Sequence, residues 1–142
     1  MFLGTYTPKL DDKGRFFLPA KFRGQLAAGL VITRQQDRCL AIWPTEAFLS
    51  EVANAATGPS TVRGVRDYQR MVASGASDES PDSQGRVTVP VPLRAYAGLT
   101  KDIVVIGAFN RLEVWDATTW AEYSAAQEEA FAALDDVAPA AG

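Results

Sequence analysis

Hydrophobic and polar positions along the chain give the same series of elements twice. In each half a short extended stretch, GTYTPKL (4–10) in the first, enters a polar turn and then a β-rich strand, RFFLP (15–19) or RVTVP (86–90). A proline ends each strand because it cannot extend a hydrogen-bonded ladder. Pro19 and Pro90 then open short helices, AKFRGQLA (20–27) and VPLRAYA (91–97), closed near Gly29 and Gly98. Two further apolar strands follow in each half: LVITRQ (30–35) with CLAIW (39–43), and IVVIGA (103–108) with LEVW (112–115). Thr45 is placed to cap a helix over 46–56, with Phe48, Leu49, Val52, Ala53 and Ala56 on its apolar face. Residues 57–60 read as a linker, 62–74 as a second helix weakened at Gly64, and the breaker-rich stretch 74–83 as the connection between halves. A long helix over 118–137 carries Trp120, Tyr123, Phe131 and Leu134 on one side, and 137–142 reads as a frayed tail.

The repetition extends to individual residues. DDKGR (11–15) recurs as DSQGR (82–86), 71 positions later, and Arg15, Pro19 and Arg23 share that offset with Arg86, Pro90 and Arg94. One inserted residue moves the offset to 72, which lays residues 30–43 on 102–115 and Leu40, Ile42, Trp43 and Phe48 on Leu112, Val114, Trp115 and Trp120. Such a period is too long for a solenoid and indicates a duplicated half-domain. A half of about 50 ordered residues buries too little to stand alone. The halves are therefore expected to share one core: an α+β fold, mainly β, interleaved into a barrel-like unit with helices outside.

Composition narrows the chemistry. At 142 residues, with 47% hydrophobic and 22% charged, the chain reads as one globular domain with no apolar run long enough to span a membrane. MFLGTYTPKL lacks the basic start and apolar stretch of a signal peptide. The single cysteine, Cys39, permits no intrachain disulfide, suits a reducing compartment, and reads as a small buried filler. Histidine is absent, which removes His-based acid–base catalysis, His-activated nucleophiles and His-ligated metals. Asp11–Asp12 and Asp135–Asp136 make poor carboxylate pairs, because neighbours in a strand point to opposite faces. No catalytic residue, metal or cofactor is expected.

The net charge of −3 hides an asymmetry. Residues 1–75 hold ten Lys or Arg against six Asp or Glu, residues 76–142 hold four against eleven, and all seven charges from Glu113 onward are negative. A basic loop surface can thus coexist with an acidic C-terminal helix.

The repeated loops carry the candidate chemistry. Gly14 and Gly85 supply the positive φ of a tight turn, and Asp11 and Asp82 are placed to bond forward to backbone N–H groups. Lys13 and Arg15 lie at the tip and exit of the first loop. A hairpin tip is narrow enough for a major groove about 12 Å wide, where Arg can pair bidentately with guanine for about 1–3 kcal/mol of discrimination. Arg86 repeats that role, while Lys13 and Lys9 suit phosphates. A structural ion pair of each Arg with Asp11 or Asp82 is the competing reading, and both roles can coexist. Lys21, Arg23 and Arg94 are secondary DNA candidates that read equally as solvated helix positions. Arg63, Arg66 and Arg70 share one helix face, which usually means solvation or pairing, here with Asp67. Trp43, Trp115 and Trp120 read as core or subunit contacts.

The segments MFLG, DDKGRFFLPAKFR, DSQGRVTVPVPLRAYAGL and LEVWDATTW resemble the MraZ family, whose members carry two tandem SpoVT-AbrB domains; the likeness runs from Met1 to about Tyr123. The resemblance implies two intertwined swapped-hairpin half-domains forming a pseudo-two-fold barrel-like core with flanking helices. Residues 1–48 would be the first SpoVT-AbrB domain, 49–76 a helical linker, 77–120 the second domain, and 121–142 an acidic helix and tail. It also implies a cytoplasmic, nucleoid-associated regulator, read as a repressor, of the division and cell-wall gene cluster including its own promoter. Its partners would be double-stranded DNA, at G-rich direct repeats, and further copies of itself in a ring, with no membrane and no small-molecule substrate. A ring would offset the few cations of one protomer by avidity, and direct repeats suit head-to-tail subunits. Ser83 stands where the family's second loop often has Lys, so that loop should attract phosphate less than the first. The acidic, aromatic C-terminal helix supports an alternative: an antitoxin-like or scaffold module that binds a protein.

Overall fold

The computed structural model describes residues 1–54 and 57–135. In chain order the elements are β1 (Thr5–Tyr6), β2 (Arg15–Phe17), a 3-10 turn (Ala20–Phe22) running into α1 (Arg23–Leu26), β3 (Leu30–Gln35) and β4 (Cys39–Pro44). There follow α2 (Thr45–Ala47), continued by a π-helical stretch (Phe48–Ala53), then α3 (Arg63–Gly75) and β5 (Ser77–Glu79). The second half continues with β6 (Arg86–Thr88), α4 (Val91–Ala97), β7 (Ile103–Gly107), β8 (Leu112–Asp116) and α5 (Ala117–Ala132).

The fold is α+β with antiparallel strand pairing throughout. Six strands lie in the order β1-β7-β8-β4-β3-β5, and β2 pairs with β6 in a separate ribbon. The halves interleave: β1 pairs with β7, β5 with β3, β4 with β8 and β2 with β6. The registers are mutually symmetric. Phe16 faces its own repeat mate Val87, Ala41 faces its mate Glu113, and Leu40↔Val114 mirrors Ile42↔Leu112. A pseudo-two-fold axis therefore passes through the ribbon and the centre of the sheet.

Several expectations change. The barrel does not close: the six-stranded sheet ends at β1 and β5, and the ribbon stands apart. Prolines explain this, since Pro8 and Pro81 follow the edge strands within two residues and Pro19 and Pro90 follow the ribbon. The hairpin registers also set Leu30 against Pro44 and Ile103 against Asp116, so the repeat offset is 73 in β3/β7 and 72 only in β4/β8. Finally, the helix after β4 departs from the regular pattern. π geometry keeps Phe48 and Val52 on the sheet and turns Leu49 and Ala53 outward, Thr45 makes no side-chain cap, and Ala56 lies outside the described residues. The tail 137–142 and Asp136 also lie outside them, and α5 ends at Ala132 rather than 137.

The core fills the space between the sheet and the ribbon. Phe16, Leu18, Val87 and Val89 meet Ile32, Ile42, Val105 and Val114 there, with Phe22, Leu26 and Leu93 from α1 and α4. The opposite face is covered by Val52 and Val72 against Trp43, and by Trp120 against Trp115 at 5.2 Å. α1, α4 and the ribbon thus lie on one side of the sheet, and α2, α3 and α5 on the other. Cys39 is buried there, and burial pushes its thiol far up, as expected of a filler. Among the described residues no helix is long and apolar enough to cross a membrane.

Candidate nucleic-acid interface

Each repeated loop is closed by its own aspartate. Asp11 Oδ1 accepts the backbone N–H groups of Lys13 and Arg15, both at 2.9 Å; Asp82 Oδ1 accepts those of Gln84 and Arg86 at 2.9 and 2.8 Å. Gly14 and Gly85 hold φ of 77° and 79°, which lets the chain double back. The second carboxylate oxygen then takes the arginine: Arg15 Nε donates to Asp11 Oδ2 at 2.8 Å, and Arg86 Nε to Asp82 Oδ2 at 2.7 Å. The backbone N–H of Arg15, then its side chain, holds the Asp11 carboxyl below the usual range against a partial desolvation; Arg86 does the same for Asp82.

The ion pair does not exhaust the arginine. Only Nε is engaged, and the two terminal nitrogens of Arg15 and Arg86 meet no hydrogen-bond partner among the described residues. The staple and the presented cation are one arrangement, since the carboxylate that closes the loop also fixes the direction of the fork.

The ribbon sets the two arginines on one face. Phe16 and Val87 point into the core, so Arg15, Phe17, Arg86 and Thr88 point away from it. Arg15 pairs with Thr88, and Arg86 pairs with Phe17 two places along. The arginines are therefore diagonal neighbours, with Cα atoms about 7–8 Å apart. Phe17 is half exposed, and the Arg86 guanidinium carbon lies 5.9 Å from its ring centre. The outward face of the ribbon thus presents two oriented guanidinium groups and an aromatic ring astride the pseudo-two-fold axis.

The other candidates separate into distinct environments. Lys13 is exposed at the first loop tip with no hydrogen bond from its ammonium among the described residues. Lys9 is held by Asp102, which reduces its value to phosphate. Lys21 Nζ lies over the rings of Tyr6 and Phe22, at 5.6 and 5.5 Å. Arg23 and Arg94 brace the loops. Arg23 Nε donates to Leu18 O at 3.2 Å and Arg94 Nε to Val89 O at 3.0 Å. Each guanidinium packs on the other half's loop glycine: a Cβ on Gly85 would meet Arg23 Nε at 2.5 Å, and one on Gly14 would meet Arg94 Cζ at 2.6 Å. The backbone repeats this exchange, since Leu18 N donates to Gly85 O and Val89 N to Gly14 O. Sequence reasoning missed this cross-bracing; its one signal was the shared offset of Arg23 and Arg94. Arg63, Arg66 and Arg70 sit on α3, on the far side of the sheet from the ribbon, and among the described residues no ion pair joins them to Asp67.

The chain matches known proteins over most of its length. A family model described as "MraZ protein, putative antitoxin-like" matches residues 1–70 and 72–138. The chain is 67% identical to the transcriptional regulator MraZ of Cutibacterium acnes, with 93% of each chain covered. It is 57% identical to that of Thermobifida fusca, with 98% of each covered, and 54% identical to that of a Nocardioides species, with 95% of this chain and 94% of the relative covered.

Proposed function

The chain belongs to the MraZ family, and from that membership and the loop geometry we propose that it is a sequence-specific DNA-binding transcriptional regulator. The observation that carries the reading is the pair of aspartate-oriented arginines on one exposed ribbon face. Arg15 and Arg86 read guanine edges through their free terminal nitrogens, and Lys13 meets phosphate. A two-stranded β-ribbon is an established way of entering a major groove. With Ser83 in place of a second Lys, the two loops differ in phosphate attraction. Arg23 and Arg94 hold the opposite loop in shape, and Lys9 and Lys21 contribute charge at the margin.

The interleaved strands support treating 1–48 and 77–120 as swapped-hairpin SpoVT-AbrB units, with 49–76 as linker and 121–142 as an appended helix. Two or three phosphate contacts per protomer leave binding weak at physiological salt. The protein therefore acts as a ring of copies on G-rich direct repeats, where tethering raises avidity about 10²-fold or more. Its targets are its own promoter and the division and cell-wall genes, which it represses from the cytoplasm at the nucleoid.

Footprinting on DNA upstream of the protein's own gene tests this, together with the mass of the complex. Protected G-rich boxes about one helical turn apart, under a multimeric complex, are expected; no protection, or a monomer on DNA, would overturn the proposal. A protein-binding antitoxin-like module is the second reading, favoured by the exposed acidic α5. One stoichiometric protein partner with no DNA binding at low salt would select it.

A further inference from the structure

Helix α5 leaves the body of its own chain. Trp120 and Tyr123 in its first two turns pack on Trp115, but every residue from Ala125 to Asp135 is exposed. The stripe that begins at Trp120 continues through Ser124 and Gln127 to Phe131, which is 74% exposed among the described residues. Helical segments this short are marginal in water without a partner. The charges make the segment weaker still. Glu128 and Glu129 lie in its last turns, at the negative end of the helix dipole, and no Lys or Arg follows Arg111 in the chain to compensate. Among the described residues the end of α5 therefore lacks both an apolar seat and a cation.

Helix α3 offers both. Arg63 and Arg70 face outward two turns apart, about 10 Å along the axis, with no hydrogen bond or ion pair from their side chains among the described residues. Val62 and Met71 beside them are half exposed. Within one chain, α5 is rooted on β7 and β8 and α3 on β3.

We propose that the distal part of α5 of one copy docks on the outward face of α3 of the next, with Phe131 against Met71 and Glu128, one turn back on the same face of α5, beside Arg70, while Glu129 and Arg63 add longer-range attraction. Donor and acceptor surfaces differ, so the contact is head-to-tail, the type that generates closed rings. Both helices lie across the sheet from the ribbon, which leaves Arg15 and Arg86 free for DNA in every subunit. The inference rests on the homo-oligomer reading above and adds the surfaces that make it.

The test is charge exchange read by solution mass. Glu128→Lys with Glu129→Lys, and separately Arg63→Glu with Arg70→Glu, should each weaken assembly about tenfold or more through like-charge contact. All four substitutions together should restore it, which rules out simple misfolding as the cause of loss. Wild-type protein that stays monomeric would overturn the oligomer reading and this contact with it. Assembly unchanged in both charge-reversed variants would overturn the contact alone. Loss of DNA binding in Arg63→Glu with Arg70→Glu while the assembly persists would assign α3 to DNA and overturn the contact too.

Discussion

Asp11 holds Arg15 twice, accepting its backbone N–H at 2.9 Å on one carboxylate oxygen and its Nε at 2.8 Å on the other. A negative group beside a DNA surface would ordinarily weaken binding, yet this one aims the cation. Asp11→Asn removes a repulsive charge but also the anchor of the guanidinium. DNA affinity should fall about tenfold despite the more favourable net charge, since a well-placed bidentate contact is worth about 1–3 kcal/mol. Tighter binding in a titration at fixed salt would show that Asp11 only opposes DNA.

The same carboxylates set an acid limit on the loops. The folded pKa values of Asp11 and Asp82 lie below the ordinary aspartate value of 3.8, so both contribute stability that is fully present above the unfolded value. That contribution is lost as pH falls below 3.8 and through the lower folded values. Denaturant unfolding at a series of acidic pH values should show a steeper loss for wild type than for Asp11→Asn with Asp82→Asn. Parallel curves would mean that the loop carboxylates titrate normally.

Cross-bracing predicts effects in the opposite half. Arg94→Ala should shift and broaden the amide resonance of Gly14, and Arg23→Ala that of Gly85, because each guanidinium lies on the other half's glycine. Perturbation confined to the mutated half would contradict the contact.

Gly107 makes a steric prediction. Any Cβ there would overlap the Phe2–Leu3 peptide, which crosses β7 where Phe2 bonds to Phe109. Gly107→Ala should displace the N-terminal strand and cost about 1–3 kcal/mol, typical of overpacking. Thermal unfolding should show a Tm several degrees lower; an unchanged Tm would mean that the N-terminus does not seat as described.

What the sequence made legible was local. The order of elements, the two glycine turns and the forward-bonding aspartates follow from residues within five positions of one another. Long-range features were hidden. β5 reads SDE, too polar to signal a strand, and forms only because β3 offers it an edge. The one-residue slip between β3 and β7 escaped because both faces of these strands are apolar, so alternation cannot fix which residues point inward. Lys9 resembles a free phosphate-binding cation until Asp102, 93 residues away, is brought beside it. Arg23 and Arg94 likewise resemble solvated helix positions until the fold sets each against the other half's loop.

Under the proposed function the paired ribbon arginines read DNA. The most direct test is a binding titration of Arg15→Ala with Arg86→Ala against wild type, on the G-rich upstream repeats and on scrambled DNA, at one salt concentration and with equal assembly mass confirmed. Preference for the repeats should collapse while weak nonspecific binding remains. Undiminished preference in the double variant would contradict it.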